Sequence, residues 1–177
     1  MPRALSPSVL RHQTFSQGDL MKKQKGFSLI ELLIVVAIIL IIAAIAIPNL
    51  LKSKMAANES SAVGSVRTLN TAEVTYAAGC PNIGYSATLA EMNTGALCTS
   101  GTSIIDNVLG KDPAIKSGYS TAYVAGAAVG GVVNTYTLSA TPLKVGTTGQ
   151  RGFFSDQTGV IRYNQTGTAV VTDPALQ

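Results

Sequence analysis

At 177 residues the chain is long enough for one modest domain and an additional apolar segment. Its formal net charge of +4 lies in residues 1–26, where Arg3, Arg11, Lys22, Lys23 and Lys25 face Asp19 alone; residues 27–177 carry as many acids as bases, which excludes a basic face for nucleic acid there. The single histidine, His12, lies in the same N-terminal stretch, so residues 27–177 lack the histidine of a nucleophile–base pair or of a zinc centre.

Residues 1–20 hold Pro2, Pro7 and several Ser and Gln without sustained periodicity, and read as unstructured. Met21 opens the basic run and offers a second start, so residues 1–20 are either a long leader or never translated. Phe27 to Ile47 then runs for 21 residues with Ser28 and Glu31 as its only polar side chains. As a helix this segment is about 32 Å long, against a bilayer core of about 30 Å. The flanking lysines and arginines hold its near end in the cytoplasm. Glu31 precedes sixteen uninterrupted apolar residues, Leu32 to Ile47. An unpaired charge in a membrane helix costs about 2.5–3.5 kcal/mol on insertion scales, so Glu31 needs a partner, inside or outside the molecule. A cleaved secretory signal is the alternative; Ala43, Ala44 and Ala46 permit it, whereas the length and Glu31 oppose it.

Pro48 removes a backbone hydrogen bond and crowds the carbonyl of Ala44. The helical signal nevertheless resumes at once. Leu51, Met55, Ala62, Val66, Leu69, Ala72 and Tyr76 form one apolar stripe, and Lys52, Lys54, Glu59, Arg67 and Glu73 are assigned to the other faces. The expectation is one helix from Phe27 to about Ala78, kinked or locally melted near Pro48, and ended by Gly79-Cys80-Pro81. Cys80 and Cys98 lie beyond the apolar span, in an oxidising compartment that favours a disulfide between them. Closing that loop would contribute roughly 3 kcal/mol.

Short helices are expected at Ser86–Met92 and Ser103–Leu109, each with its serine as N-cap. From Gly118 the pattern turns to strands: Tyr119–Val124, Asn134–Ala140, Gly152–Ser155 and Val160–Tyr163. Gly126–Gly131 and Asp156-Gln157-Thr158-Gly159 read as connections. The predicted fold class is α+β: a long N-terminal helix with a membrane half and an amphipathic half, the latter packed on a small antiparallel sheet.

Lys25-Gly26-Phe27-Ser28-Leu29-Ile30-Glu31-Leu32, its apolar continuation and Pro48 resemble the N-terminus of a bacterial type IV pilin. The specific motif covers residues 22–50; the segment Thr135–Arg162 is similar, more loosely, to pilin-like proteins with short heads. The resemblance implies a leader, residues 1–26, that a prepilin peptidase removes between Gly26 and Phe27, followed by N-methylation of Phe27. It implies an inner-membrane precursor, residues 27–47 as the assembly helix, and residues 48–177 as the amphipathic helix half and head. It further implies a homo-oligomeric filament on the cell surface, built with the pilus assembly machinery. Glu31 would then meet the new amine of Phe27, on a neighbouring subunit or on its own chain. In many type IV pilins the disulfide encloses a C-terminal loop. Here Cys80 and Cys98 enclose the segment after the long helix, so adhesive roles tied to the C-terminal loop do not transfer.

The same leader motif resembles pseudopilins of type II secretion, and a signal-anchored periplasmic binding domain is a third reading. No enzymatic activity, cofactor, metal or nucleic-acid partner is expected. Asp156 with Gly159 is read as a hairpin turn ahead of a calcium loop. Gly126–Gly131 lacks the lysine of a phosphate loop. Asn58-Glu59-Ser60 and Asn164-Gln165-Thr166 match a glycosylation pattern short enough to arise by chance.

Overall fold

The computed structural model describes residues 26–94 and 102–176, in two units, Met1–Ile41 and Ile42–Gln177. A single helix, α1, covers Leu29–Gly79. It starts two residues later than Phe27, and it stays helical through Pro48, which lies inside it. Its start has a local cause. The backbone N–H of Ser28 donates to Glu31 Oε2 at 3.1 Å, and Leu32 N–H donates to the Ser28 carbonyl at 3.2 Å. Ser28-Leu29-Ile30-Glu31 therefore has the spacing of a capping box, with the acid at the third helical position reaching back to the cap residue.

Beyond α1 come α2 (Leu89–Thr94), β1 (Ala114–Lys116), β2 (Tyr119–Ala125), β3 (Ala128–Val129), β4 (Val132–Val133), β5 (Tyr136–Pro142), β6 (Gly152–Asp156) and β7 (Arg162–Asn164). The fold is α+β. Strands β1-β2-β5-β6-β7 form an antiparallel sheet in that order, and β3 and β4 pair separately. Period-two alternation turns Tyr119, Thr121 and Tyr123 of β2 inward, with Tyr136, Leu138, Ala140 and Pro142 of β5. Against them lie Ala62, Val66, Leu69, Ala72 and Tyr76 of α1, joined by Phe153, Leu89 and Met92. These five α1 residues are the buried part of the expected stripe; Leu51, at its start, is exposed.

Several expectations are corrected. Glu59 and Glu73 are buried, not on the outer faces, because the sheet and loops supply donors for both carboxylates. Residues 103–109 are turns, not a helix: Asp106 Oδ1 takes the amides of Val108 and Leu109, and so competes with helical bonds. The first short helix begins at Leu89, and Ser86 does not cap it; the Ser86 hydroxyl lies 2.6 Å from Glu73 Oε1 instead. Gly126–Gly131 is not simply a connection, since Ala128–Val129 pairs with Val132–Val133 across Gly130-Gly131. Strand β1 was not anticipated, and the last strand begins at Arg162, not Val160. The Asp156–Gly159 segment is the expected turn between β6 and β7, closed by Gly159 N–H on the Asp156 carbonyl at 2.9 Å with Gly159 at φ 72°.

Candidate assembly and processing site

Gly26, Phe27 and Ser28 precede α1 outside any helix, and all three are exposed. Phe27 is 79% exposed, and nothing lies within 4 Å of where a Cβ on Gly26 would stand. Among the described residues, the Gly26–Phe27 bond thus lies outside the helix and uncovered.

The apolar run that follows has no buried residue: Leu32 to Ile47 are exposed except for the half-buried Ala43. The helix is long and apolar enough to cross a membrane. Among the described residues Glu31 has no ion-pair partner, and it accepts the Ser28 N–H as a cap. The capping box is a role for Glu31 that the sequence reading missed, although the S-x-x-E spacing announces it. Cys80 is buried just after α1, its N–H donating to the Tyr76 carbonyl at 2.9 Å. Its expected partner, Cys98, lies outside the described residues.

The head holds three polar clusters that sequence reasoning did not find. Glu59 Oε1 accepts the N–H groups of Gln150 (2.8 Å) and Arg151 (3.0 Å), and Oε2 accepts Arg151 Nε at 2.7 Å. The Arg151 guanidinium also lies over the rings of Phe153 and Tyr163, at 5.7 and 5.6 Å from their centroids. Burial would raise the Glu59 carboxyl, but the two amides and the guanidinium outweigh it and hold the group below its ordinary range. In the second cluster Asn70 donates to Ser155 Oγ at 2.8 Å and accepts from Tyr136 Oη at 3.0 Å. The third joins Glu73, Ser86 and Tyr123, with burial as the main cause that raises Glu73. Burial, then the nearby Glu91 carboxylate, pushes the Tyr76 phenol up to about 12. Both asparagines of the glycosylation patterns are engaged: Asn58 donates to the Thr148 carbonyl and Asn164 to Asp173 Oδ1.

The fold and this segment define a class: α+β proteins whose long helix carries, near its start, a run apolar enough to cross a membrane. Within that class, residues 21–47 match the family model described as the prokaryotic N-terminal methylation motif. The chain is 48% identical to the type IV major pilin protein PilA of Myxococcus xanthus over 54 residues, 30% of this chain and 24% of that protein. It is 60% identical to the type IV wide pilus major component PilA4 of Thermus thermophilus over 40 residues, 23% of this chain and 30% of that one. A fimbrial protein of Pseudomonas aeruginosa is 56% identical over 52 residues, 29% of this chain and 34% of its own. The chain spans about a quarter to a third of these curated relatives. No solved structure matches it. The likeness to type IV pilins thus rests on the N-terminal segment, which carries the methylation motif.

Proposed function

We propose that this chain is a structural, non-enzymatic subunit of a type IV pilus. A prepilin peptidase cuts between Gly26 and Phe27, Phe27 is N-methylated, and the precursor waits in the inner membrane through residues 27–47. The pilus machinery then assembles these helices into a homo-oligomeric filament on the cell surface. The observation that carries the reading is the methylation motif set on a helix whose apolar residues are exposed from Leu32 to Ile47. Such a surface calls for lipid before assembly and for neighbouring helices after it. Ala37, Ala43, Ala44 and Ala46 let those helices approach closely. Cleavage creates an amine four residues from Glu31, and in a filament core that amine on a neighbouring subunit relieves a buried charge. A bend at Pro48 and a Cys80–Cys98 disulfide belong to the same reading. The relatives named as pilus components favour the pilus over a secretion pseudopilus.

N-terminal mass analysis of the mature protein is expected to return methyl-Phe27, and microscopy to show long surface filaments. Material that begins upstream of Phe27 yet forms fibres would overturn the reading; short periplasmic assemblies would transfer it to a pseudopilin. Two Glu31 variants separate capping from charge. Glu31→Ala removes both, whereas Glu31→Gln keeps an acceptor for the Ser28 amide. Both are expected to insert in the membrane and to lose filaments. Normal filaments from Glu31→Gln would refute the pairing and leave the cap as the role of this residue.

A further inference from the structure

Glu73, on α1, is 0% exposed, and among the described residues no lysine or arginine acts on it. The groups that face it come from every side of its site. Ser86 lies in the loop after α1, Tyr123 on β2, Tyr136 on β5 and Tyr76 on α1 itself; Glu91, of α2, is a second acid. Burial next to another carboxylate disfavours the charged form, and only hydrogen bonds oppose that.

Those bonds favour the charged form, but a neutral acid can complete the same network. Glu73 Oε2 accepts the Ser86 N–H at 3.0 Å, and Glu73 Oε1 lies 2.6 Å from Ser86 Oγ. Ser86 Oγ lies 3.4 Å from Tyr123 Oη, whose own proton goes to the Ser86 carbonyl at 2.6 Å. With Glu73 ionised, the Ser86 proton points at the carboxylate and an anion is left buried. With Glu73 protonated, its O–H points at Ser86 Oγ, the Ser86 proton turns to Tyr123 Oη, and the Tyr123 proton stays on the carbonyl. Each donor then has an acceptor and no charge is buried.

We propose that Glu73 is a neutral acid in the folded head, and that its proton makes the closure of the Ser86 loop onto α1 a latch favoured by acid. The native head binds this proton more tightly than the unfolded chain does. The stability it brings is complete below the ordinary carboxylate range and drains away as pH rises through the raised value of Glu73. Glu59 has the opposite sign, so the two acids are separable by variants.

The test uses the full chain in detergent micelles, with thermal unfolding followed from mildly acidic to mildly alkaline pH. Wild type is expected to lose stability as pH rises, and Glu73→Gln, which keeps the shape without the titration, to lose that slope. In parallel, carbon-13 labelling of the glutamate side chains lets the four carboxyls titrate individually, with Glu31→Gln and Glu59→Gln spectra to assign two of them. One of the remaining two is expected to titrate above the ordinary range and to be absent from Glu73→Gln. If Glu73→Gln does not fold, Ser86→Ala replaces it: removing the hydroxyl that favours the charged form is expected to raise that titration further. Parallel slopes in wild type and Glu73→Gln, or a Glu73 carboxyl that titrates at or below the ordinary range, would overturn the proposal.

Discussion

Glu59 meets two backbone N–H groups and a guanidinium, donors that keep its carboxylate charged although the residue is only 7% exposed. Its folded value is depressed, so the stability it contributes is fully present above the ordinary carboxylate range. That stability is lost as pH falls through the lowered value. Glu59→Gln keeps an acceptor for the two backbone N–H groups, which share Oε1, but turns its amide NH2 toward Arg151 Nε. Charged hydrogen bonds carry about 1.5–3 kcal/mol, and a loss on the order of 2 kcal/mol is expected at neutral pH. Denaturant unfolding checks it. The difference from wild type should narrow in acid, where the wild-type carboxylate is itself protonated. A penalty that does not change with pH would mean that packing, not charge, is what Glu59 supplies.

The loop between α1 and α2 is tied to the β3–β4 hairpin through Gly84. Tyr85 N–H donates to the Val133 carbonyl at 2.9 Å, and Val133 N–H donates to the Ile83 carbonyl at 2.8 Å. Gly84 adopts φ 79°, and a Cβ there would run into the Val133 carbonyl oxygen. Gly84→Ala is therefore expected to cost at least about 1 kcal/mol. The damage should be local, with faster amide exchange at Tyr85 and Val133 and an unchanged β2–β5 ladder. Equal protection in variant and wild type would show that the loop does not depend on this crossing. Strands β2, β5 and β6 were legible because their aromatic and β-branched residues match a half-buried pleat. The two-residue strands β3 and β4 were not, since glycines carry no pattern and part of their pairing is with a distant loop. The buried acids escaped for a related reason. Glu59 and Glu73 lie on the buried stripe itself, and nothing in the helix announces partners that are 92 residues away, as Arg151 is, or 13, as Ser86 is. The processing motif was legible in full because its residues are adjacent in the chain.

Taken whole, the molecule joins two kinds of surface that ask for different solvents. In α1 the buried residues begin at Glu59, and the core cluster begins at Ala62, so the core draws on nothing from the apolar run. That run has no polar side from Leu32 to Ile47, and a helix apolar all round is not satisfied by one partner. A dimer would cover one face and leave the others in water; a bilayer, or a core of many helices, covers them all. A chain that starts at Lys52 keeps every buried residue of α1 and discards the apolar run. It is expected to be soluble and monomeric, with the near-ultraviolet signal of the head retained, and to form no filaments. Sedimentation and circular dichroism check both parts of this. An insoluble or unfolded truncation would mean that residues 27–51 are needed for the head to fold, and their exposure would then require a different explanation from polymerisation.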